Sequence, residues 1–262
     1  MATSPFPIVE INDAPPTAEQ LRYRALVNYG HYTALQVRDR RVRGLDLHLR
    51  RLDAATRELY GTGLPGVRVC AHIRHALGDD IADASVRVDV FWPEGAAEPL
   101  VMVTVRPPVP PPDRPRRLRS MPYQRPVAHL KHVGTFGQIH YGQLAERDGY
   151  DDALLTAAGG VISEGGVTNI GFWDGETVVW PDAPQLSGIT MQLIEARLPG
   201  SGLATRRATV RLADLAGFRT VFVTNSHGVA AVSQVDDMAL PVDAELLREL
   251  TTLYLAVPAD LL

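Results

Sequence analysis

The sequence predicts a mixed α/β (α+β) protein made of two domains. Residues before position 107 alternate between strand-like and helix-like segments, whereas residues after position 119 are rich in strand-like segments with helices inserted between them. Residues 107–119 contain six prolines, which neither a helix nor a central strand tolerates in its interior. We therefore predict a first domain over 1–106, a linker over 107–119 with a solvated arginine cluster, and a larger second domain over 120–262.

The composition is that of an ordinary globular protein. Of 262 residues, 45 % are hydrophobic and 21 % are charged, which is enough apolar material for a core. A net charge of −4 argues against a general nucleic-acid or membrane-surface binder. Cys70 is the only cysteine, so no disulfide framework is expected. The chain also lacks a signal-peptide pattern and a long apolar run, so we expect a cytoplasmic protein.

Hydrophobic spacing predicts the elements of the first domain, whereas residues 1–24 show no clear pattern. The predicted elements are a strand over Tyr32–Val37, a helix capped by Asp46 and ended by Gly61, a helix that carries Val69, Ile73 and Leu77, a strand with Val86, Val88 and Val90 on one face, and a strand over Leu100–Val105.

The second domain is predicted from the same signals, and Asp174-Gly175 adds a strong hairpin turn. Its predicted elements are helices over Phe136–Arg147, Gly188–Leu198 and residues 243–255, and strands over Asp151–Thr156, Val161–Glu164, Asn169–Trp173, Thr177–Trp180 and Phe218–Thr224.

Two motifs in the sequence predict no site of their own. The glycines of residues 61–66 match the dinucleotide-binding pattern, but they follow a helix rather than a strand, so they indicate a helix end and a turn. The pairs His72/His75 and His129/His132 have three-residue spacing without the glutamate or cysteines of a zinc motif, so no metal site is predicted.

Lys131 is the only lysine, so the other 25 of the 26 basic residues are arginines. A lysine amine can lose its proton and attack a carbonyl, whereas a guanidinium cannot. Every other positively charged side chain of this sequence is an arginine. The single lysine is therefore a candidate nucleophile.

Three further features complement the amine. Glu164 lies among small residues at a predicted strand end, Gly188-Ile-Thr190 opens a predicted helix, and Arg51 lies near the polar edge of another helix. Each has a plainer explanation as a turn carboxylate, an ordinary helix start or a surface charge. Together they suggest pyridoxal phosphate, which needs an amine, a partner for its pyridine nitrogen and an anion site.

Between about residues 28 and 235, the chain resembles the class IV aminotransferases, the fold-type IV pyridoxal-phosphate enzymes. This family includes branched-chain and D-amino-acid aminotransferases and 4-amino-4-deoxychorismate lyase. The resemblance implies a two-domain D-amino-acid aminotransferase-like fold, with a small α/β domain and a larger pseudo-barrel domain, in a homodimer. Its motifs are, in order, Lys131, Gly149-Tyr-Asp-Asp-Ala-Leu-Leu155, Ser163-Glu164-Gly165, Thr168-Asn169-Ile-Gly-Phe172 and Leu186-Ser-Gly-Ile-Thr190.

The resemblance also implies residue roles. Lys131 is the expected Schiff-base lysine and proton shuttle, and Glu164 the carboxylate that faces the pyridine nitrogen. His48-Leu-Arg-Arg51-Leu52 is similar to the family's H-L-x-R-L helix, which makes Arg51 the expected phosphate arginine. The remaining expected phosphate contacts are Ile189, Thr190, Thr224 and Asn225.

The chain departs from the family pattern near the substrate. Asn28-Tyr-Gly30-His-Tyr32 replaces the usual Gly-Asp-Gly stretch, so His31 and Tyr32 are candidate substrate residues. Phe136 replaces a tyrosine that many family aminotransferases use to hydrogen-bond the cofactor, and we include it as a third candidate. Leu130-Lys-His132 and Thr224-Asn225 are slightly closer to the lyase branch.

We therefore expect a pyridoxal-phosphate aminotransferase that acts on amino acids and 2-keto acids. The first alternative is 4-amino-4-deoxychorismate lyase, which eliminates pyruvate to give 4-aminobenzoate with the same cofactor. The second is a related scaffold that binds a metabolite or protein without catalysis. The joint presence of Lys131, Glu164 and Arg51 argues against the second alternative.

Overall fold

A computed structural model describes residues 7–262, and their contacts form two compact units. Unit 1 comprises the described residues up to Pro110, together with Leu130–Gly134 and Pro258–Leu262. Unit 2 comprises Pro111–His129 and Thr135–Val257. No helix within residues 7–262 has the length and apolar character that crossing a membrane would require.

The described residues form fifteen strands and seven α-helices, with 3-10 turns at Ala158–Gly160 and Leu212–Gly217. The strands are β1 (Ile8–Ile11), β2 (His31–Val37), β3 (Arg41–Arg43), β4 (Ala84–Phe91), β5 (Leu100–Arg106), β6 (Arg116–Met121), β7 (Asp152–Ala157), β8 (Val161–Gly165), β9 (Asn169–Trp173), β10 (Thr177–Pro181), β11 (Ala204–Ala208), β12 (Thr220–Asn225), β13 (Gly228–Val235), β14 (Met238–Ala239) and β15 (Ala259–Leu261). The helices are α1 (Ala18–Leu26), α2 (Leu45–Tyr60), α3 (Gly66–Leu77), α4 (Phe136–Arg147), α5 (Ile189–Glu195), α6 (Leu198–Ser201) and α7 (Ala244–Leu255).

Unit 1 is built on an antiparallel sheet in the order β1-β5-β4-β2. Alternate residues of β2 are buried, as expected for a strand with one face on a core. Helices α2 and α3 supply apolar side chains to that core, including Leu52 and Ile73. Helix α2 ends at Gly61, whose left-handed conformation suits a glycine.

Unit 2 is a sheet in the order β11-β10-β9-β12-β13-β6-β7-β8, with β14 added to β13. The two ends of this sheet approach each other. The N–H of Ile162 in β8 donates to the carbonyl of Val210, just beyond β11, at 2.8 Å, and Val161 bridges Arg211. The sheet therefore curls into the pseudo-barrel that the resemblance implied, and the predicted fold class is confirmed.

Several sequence-based boundaries were wrong. Strand β6 begins at Arg116, directly after Pro115, so the last four residues of the predicted linker over 107–119 belong to a strand. Asp46 does not cap α2; the cap position is Gly44, and Asp46 instead pairs with Arg50 at 2.7 Å.

The predicted helix over 188–198 is split into α5 and α6. Pro199 lies at the start of α6, where a missing backbone N–H is tolerated. If α5 continued through this residue, the proline ring would clash with the carbonyl one turn earlier, so α5 ends at Glu195. Helix α1 was missed, although Thr17 and Gln20 form a capping box that was visible in the sequence. The helix buries none of its residues, so it has no continuous apolar face that hydrophobic spacing could reveal.

The compact units also differ from the predicted domains at two short segments. Leu130–Gly134 and Pro258–Leu262 lie in the predicted second domain, but their contacts place them in unit 1. The last segment contains β15, which pairs with β3. Backbone pairing over a long sequence separation produces both differences, and no local pattern signals it.

Candidate active site

The single lysine lies on a short segment that extends the sheet of unit 1. The backbone N–H of Tyr32 donates to the carbonyl of Lys131 at 2.8 Å, and the N–H of Val133 donates to Gly30 at 3.0 Å. These bonds pair residues 131–133 with the free edge of β2. Lys131 is therefore held at the edge of the four-stranded sheet.

The charges of Lys131 and of the predicted phosphate arginine, Arg51, both act on the buried imidazole of His48 in unit 1. His48 on α2 is buried, and its Nδ1 lies 2.7 Å from the hydroxyl oxygen of Thr33 on β2. Burial, and then the charges of Arg51 and Lys131, lower the pKa of His48 to about 3. The imidazole is thus neutral near pH 7, and its hydrogen bond joins α2 to β2.

The two candidate substrate residues of β2 lie on opposite faces of the sheet. His31 is completely buried, and its Nε2 lies 3.0 Å from the hydroxyl of Thr56 on α2. That hydroxyl donates to the carbonyl of Leu52, so His31 Nε2 is the donor to Thr56. Burial lowers the pKa of His31 to about 4. Tyr32 is half-buried on the other face, with its ring centroid 4.9 Å from Lys131 Nζ.

In unit 2, the predicted pyridine partner Glu164 belongs to a buried ion pair. Arg125 Nε donates to Glu164 Oε1 at 2.9 Å, and both side chains are almost completely buried. The N–H of Leu186 donates to Glu164 Oε2 at 3.1 Å. These two hydrogen bonds therefore fix the position of the carboxylate. The sequence analysis assigned no role to Arg125, and only the fold shows which carboxylate it meets.

The turn before Lys131 is strained. Val127 has a φ of 46°, which is rare for a β-branched residue, and its side chain is exposed. Arg125 also donates to the carbonyl of Ala128. The same guanidinium therefore closes this turn and pairs with Glu164, and such strain is most often retained at functional sites.

The expected phosphate residues of unit 2 lie together at the end of β12 and the start of α5. The hydroxyl of Thr190 donates to the carbonyl of Asn225 at 2.7 Å, and Ile189 precedes Thr190 as the first residue of α5. The hydroxyl of Thr224 is buried and has no hydrogen-bond partner among the described residues.

The loop that leads into α5 is held by Asn169, which had no predicted role. Its Nδ2 donates to the carbonyl of Leu186 at 2.6 Å and to Gln185 Oε1 at 3.0 Å. A Cβ at Gly188 would collide with Asn169 Oδ1, so this close approach requires a glycine.

Phe136, the third candidate substrate residue, is the first residue of α4. Its side chain is 77 % exposed and stacks on His140, with ring centroids 5.5 Å apart. Within unit 2 it is therefore a surface side chain.

The family assignment rests on a match to the model of the class IV amino-transferases, which covers residues 30–235. The chain belongs to the class IV aminotransferase family. No curated protein sequence matched it significantly.

Solved structures of class IV aminotransferases and a related lyase share the fold. A hypothetical aminotransferase from Mycobacterium tuberculosis in its PLP-bound form is 21 % identical, with a TM-score of 0.82 over 95 % of this chain and 98 % of that one. A putative 4-amino-4-deoxychorismate lyase from Legionella pneumophila is 19 % identical, with a TM-score of 0.81 over 90 % and 93 %. The branched-chain aminotransferase from Thermoproteus uzoniensis, solved with norvaline, is 15 % identical, with a TM-score of 0.81 over 94 % and 92 %.

A separate cluster in this class IV chain contains metal-ligating side chains. Ligand atoms of Glu10, Asp13 and His75 lie within 4.8 Å of one another. His75 Nδ1 is 2.7 Å from Glu10, and His72 Nδ1 is 2.6 Å from Asp13. Hydrogen-bonded carboxylate–imidazole pairs account for this arrangement, so it does not require an ion.

We predict that Arg125→Met destabilises the protein by about 3–5 kcal/mol, because it leaves the buried carboxylate of Glu164 without its counter-charge. Arg114→Met is the matched control, since its ion pair with Asp151 lies at the surface, where water screens the attraction and little stability should be lost. Urea unfolding of both variants measures the difference. Equal losses of unfolding free energy in the two variants would contradict the prediction. The double variant Arg125→Met/Glu164→Gln should recover part of the loss, because it removes the unpaired carboxylate.

We predict that stability falls on acidification partly because folded His48 resists protonation. Unfolded His48 takes up a proton below about pH 6.5, whereas the folded pKa is about 3, so the free energy of unfolding decreases as pH falls between these values. His48→Gln should flatten this dependence by about 1 kcal/mol per pH unit between pH 6 and pH 4. Urea titrations at several pH values measure the slope. A slope that changes no more than in the exposed His140→Gln control would contradict the prediction.

Proposed function

We propose that this protein is a pyridoxal-phosphate-dependent aminotransferase that moves an amino group between an amino acid and a 2-keto acid. The family match, on a chain whose only lysine lies at the motif position, is the observation that carries this proposal. The solved relative from Mycobacterium tuberculosis adds support, because one form holds PLP and another holds α-ketoglutarate and PMP.

The residues present fit this cofactor. The buried hydroxyl of Thr224 is a donor without an acceptor in unit 2, and leaving such a group unpaired costs free energy. A phosphate oxygen would accept from it, and the N–H groups of Ile189 and Thr190 are further donors of the same kind. Arg51 is the proposed cationic contact of the phosphate, and Asn225 is proposed to bind it beside Thr224.

Lys131 is the proposed catalytic residue. When bound, pyridoxal phosphate supplies an aldehyde for an amine and a ring that accepts electrons from the substrate Cα. Lys131 Nζ is the proposed attachment point and afterwards the base that takes the Cα proton and returns it later in the reaction.

Glu164 is the proposed partner of the pyridine nitrogen. Each of its oxygens already accepts one hydrogen bond, and each retains a lone pair for another donor. A carboxylate at this position would keep the pyridine nitrogen protonated, so that the ring can accept electrons. Arg125 is therefore the proposed residue that holds Glu164 in place for this contact.

A 4-amino-4-deoxychorismate lyase is the second candidate function. Phe136 cannot donate the hydrogen bond of the tyrosine found in many aminotransferases of the family, and the lyase branch also varies there. The structure of the putative Legionella pneumophila lyase is similar over 90 % of this chain. Both candidate reactions need Lys131, so the substrate distinguishes them.

The absorbance spectrum of the purified full chain with pyridoxal phosphate tests the proposal. We expect a yellow band that borohydride fixes on Lys131, the only lysine to which the label can attach. Lys131→Arg keeps the charge but should abolish the band and lower kcat at least about a thousandfold.

Single amino acids of both hands are then added without a keto acid. Bleaching of the band by one of them identifies an aminotransferase and its donor. A stable band together with 4-aminobenzoate production from aminodeoxychorismate would favour the lyase instead. The absence of any band would contradict both enzymes and leave the non-catalytic scaffold.

We also propose a homodimer, supported by exposed apolar side chains on α4. Phe136 and Ile139 are 77 % and 55 % exposed, and their three-residue spacing places them on one side of the helix. Sedimentation velocity should show a dimer that Ile139→Asp weakens at least about tenfold, whereas Val67→Asp, at an exposed site on α3, leaves it intact. A monomeric wild type would contradict the proposal.

A cytoplasmic location, without membrane or nucleic-acid partners, is the remaining part of the proposed function. The net charge of −4 and the absence of a spanning helix among residues 7–262 are consistent with it. Recovery of the protein with membranes after cell fractionation would contradict it.

A further inference from the structure

The face of the unit 1 sheet that carries Tyr32 holds an unusual group of charged side chains. Tyr32 is paired with Asp89 across β2 and β4, and Ala34 is paired with Arg87. Residues two apart in a strand point to the same face, so the side chains of Tyr32, Arg87 and Asp89 share one surface.

The ring of Tyr32 contacts two cations. The guanidinium carbon of Arg87 lies 3.7 Å from the ring centroid, and Lys131 Nζ lies 4.9 Å from it. Both distances are within the range of cation–π attraction. Tyr32 also donates its backbone N–H to the Lys131 carbonyl. Tyr32 therefore contacts Lys131 in two places. Its backbone N–H binds the lysine carbonyl, and its ring lies close to the lysine amine.

Arg87 is itself held in place. Its Nε and Nη2 donate to the two carboxylate oxygens of Asp89 at 2.8 and 2.7 Å. Asp89 is completely buried and also accepts from Arg24 of α1 at 3.4 Å. A two-bond contact to a buried carboxylate fixes the plane of a guanidinium, so Arg87 provides a rigid support for the tyrosine ring.

We propose that Tyr32 is a positioning residue for the ε-amine of Lys131, with Arg87 and Asp89 as its support. The lysine side chain has four flexible carbons, and an attractive ring face reduces the number of positions that its amine samples. The proposal rests on the proposed function in one respect, namely that this amine reacts with the cofactor aldehyde. It assigns the role to the aromatic ring and not to the tyrosine hydroxyl.

This assignment separates Tyr32 from an ordinary substrate contact. If the hydroxyl bound the substrate, Tyr32→Phe would raise KM and leave reaction of the amine unchanged. If the ring positions the amine, Tyr32→Phe preserves the effect, and Tyr32→Leu loses it with little change in KM.

The single lysine allows a test that needs no cofactor. In the full chain labelled with ¹³C,¹⁵N-lysine, one Cε–Hε signal reports on Lys131 alone. We expect an upfield ring-current shift of this signal in the wild type and in Tyr32→Phe, and its loss in Tyr32→Leu. An ordinary lysine shift in the wild type, or an unchanged shift in Tyr32→Leu, would overturn the proposal.

The rate at which the same proteins take up pyridoxal phosphate is the second readout. Tyr32→Leu should slow formation of the yellow band about threefold to thirtyfold, because the freed lysine side chain spends less time in the reactive position, and Tyr32→Phe should recover most of this rate. Arg87→Met should slow it in the same direction. The control, Arg106→Met, changes an exposed arginine of β5 and should have no effect.

The outcomes separate this inference from the proposed function. A wild type that never forms the band refutes the cofactor proposal, while the lysine signal still reports on the contact with Tyr32. If the wild type forms the band and Tyr32→Leu and Arg87→Met form it at the same rate, only the positioning role is refuted. Thermal unfolding of each variant confirms that the compared proteins are folded.

Discussion

The pairing of residues 131–133 with the edge of β2 is the interaction on which the position of Lys131 in unit 1 depends. It consists of two backbone hydrogen bonds, from Tyr32 to Lys131 and from Val133 to Gly30. Through them the backbone of the only lysine is fixed to a sheet edge, with its amine 4.9 Å from the ring centroid of Tyr32. A reactive group on a strand edge is positioned more precisely than one on a free loop.

Unit 2 fixes its charged groups by burial. The carboxylate of Glu164 is held from two sides, by Arg125 and by the N–H of Leu186. Arg125 also closes the strained turn at Val127, so one guanidinium holds both a carboxylate and the backbone that leads to residue 130. Buried ion pairs add little net stability, and the effect of this one is to fix the position of Glu164.

The family and much of the fold could be predicted from local patterns. Strand β9 and helix α4 have the predicted bounds, because the Asp174-Gly175 turn follows β9 directly and Gly149 lies just beyond the end of α4. Failures occurred where local signals were weak or competed. The predicted helix over 188–198 ended early at Glu195, ahead of Pro199, and β6 followed directly after the prolines of the predicted linker. The assignments of Lys131, Glu164 and Arg51 to a cofactor remain predictions, as do the domain limits.

The sequence by itself determined the residue types available for the chemistry: one lysine, a carboxylate within a recognisable motif, and the order of motifs that identifies the family. Only the tertiary structure decided which side chains meet. It separated His31 from Tyr32 on opposite faces of one strand, and it paired Arg125 with Glu164 across 39 positions. Side-chain type is encoded locally, whereas contacts across long separations depend on strand pairing and on the burial that it produces.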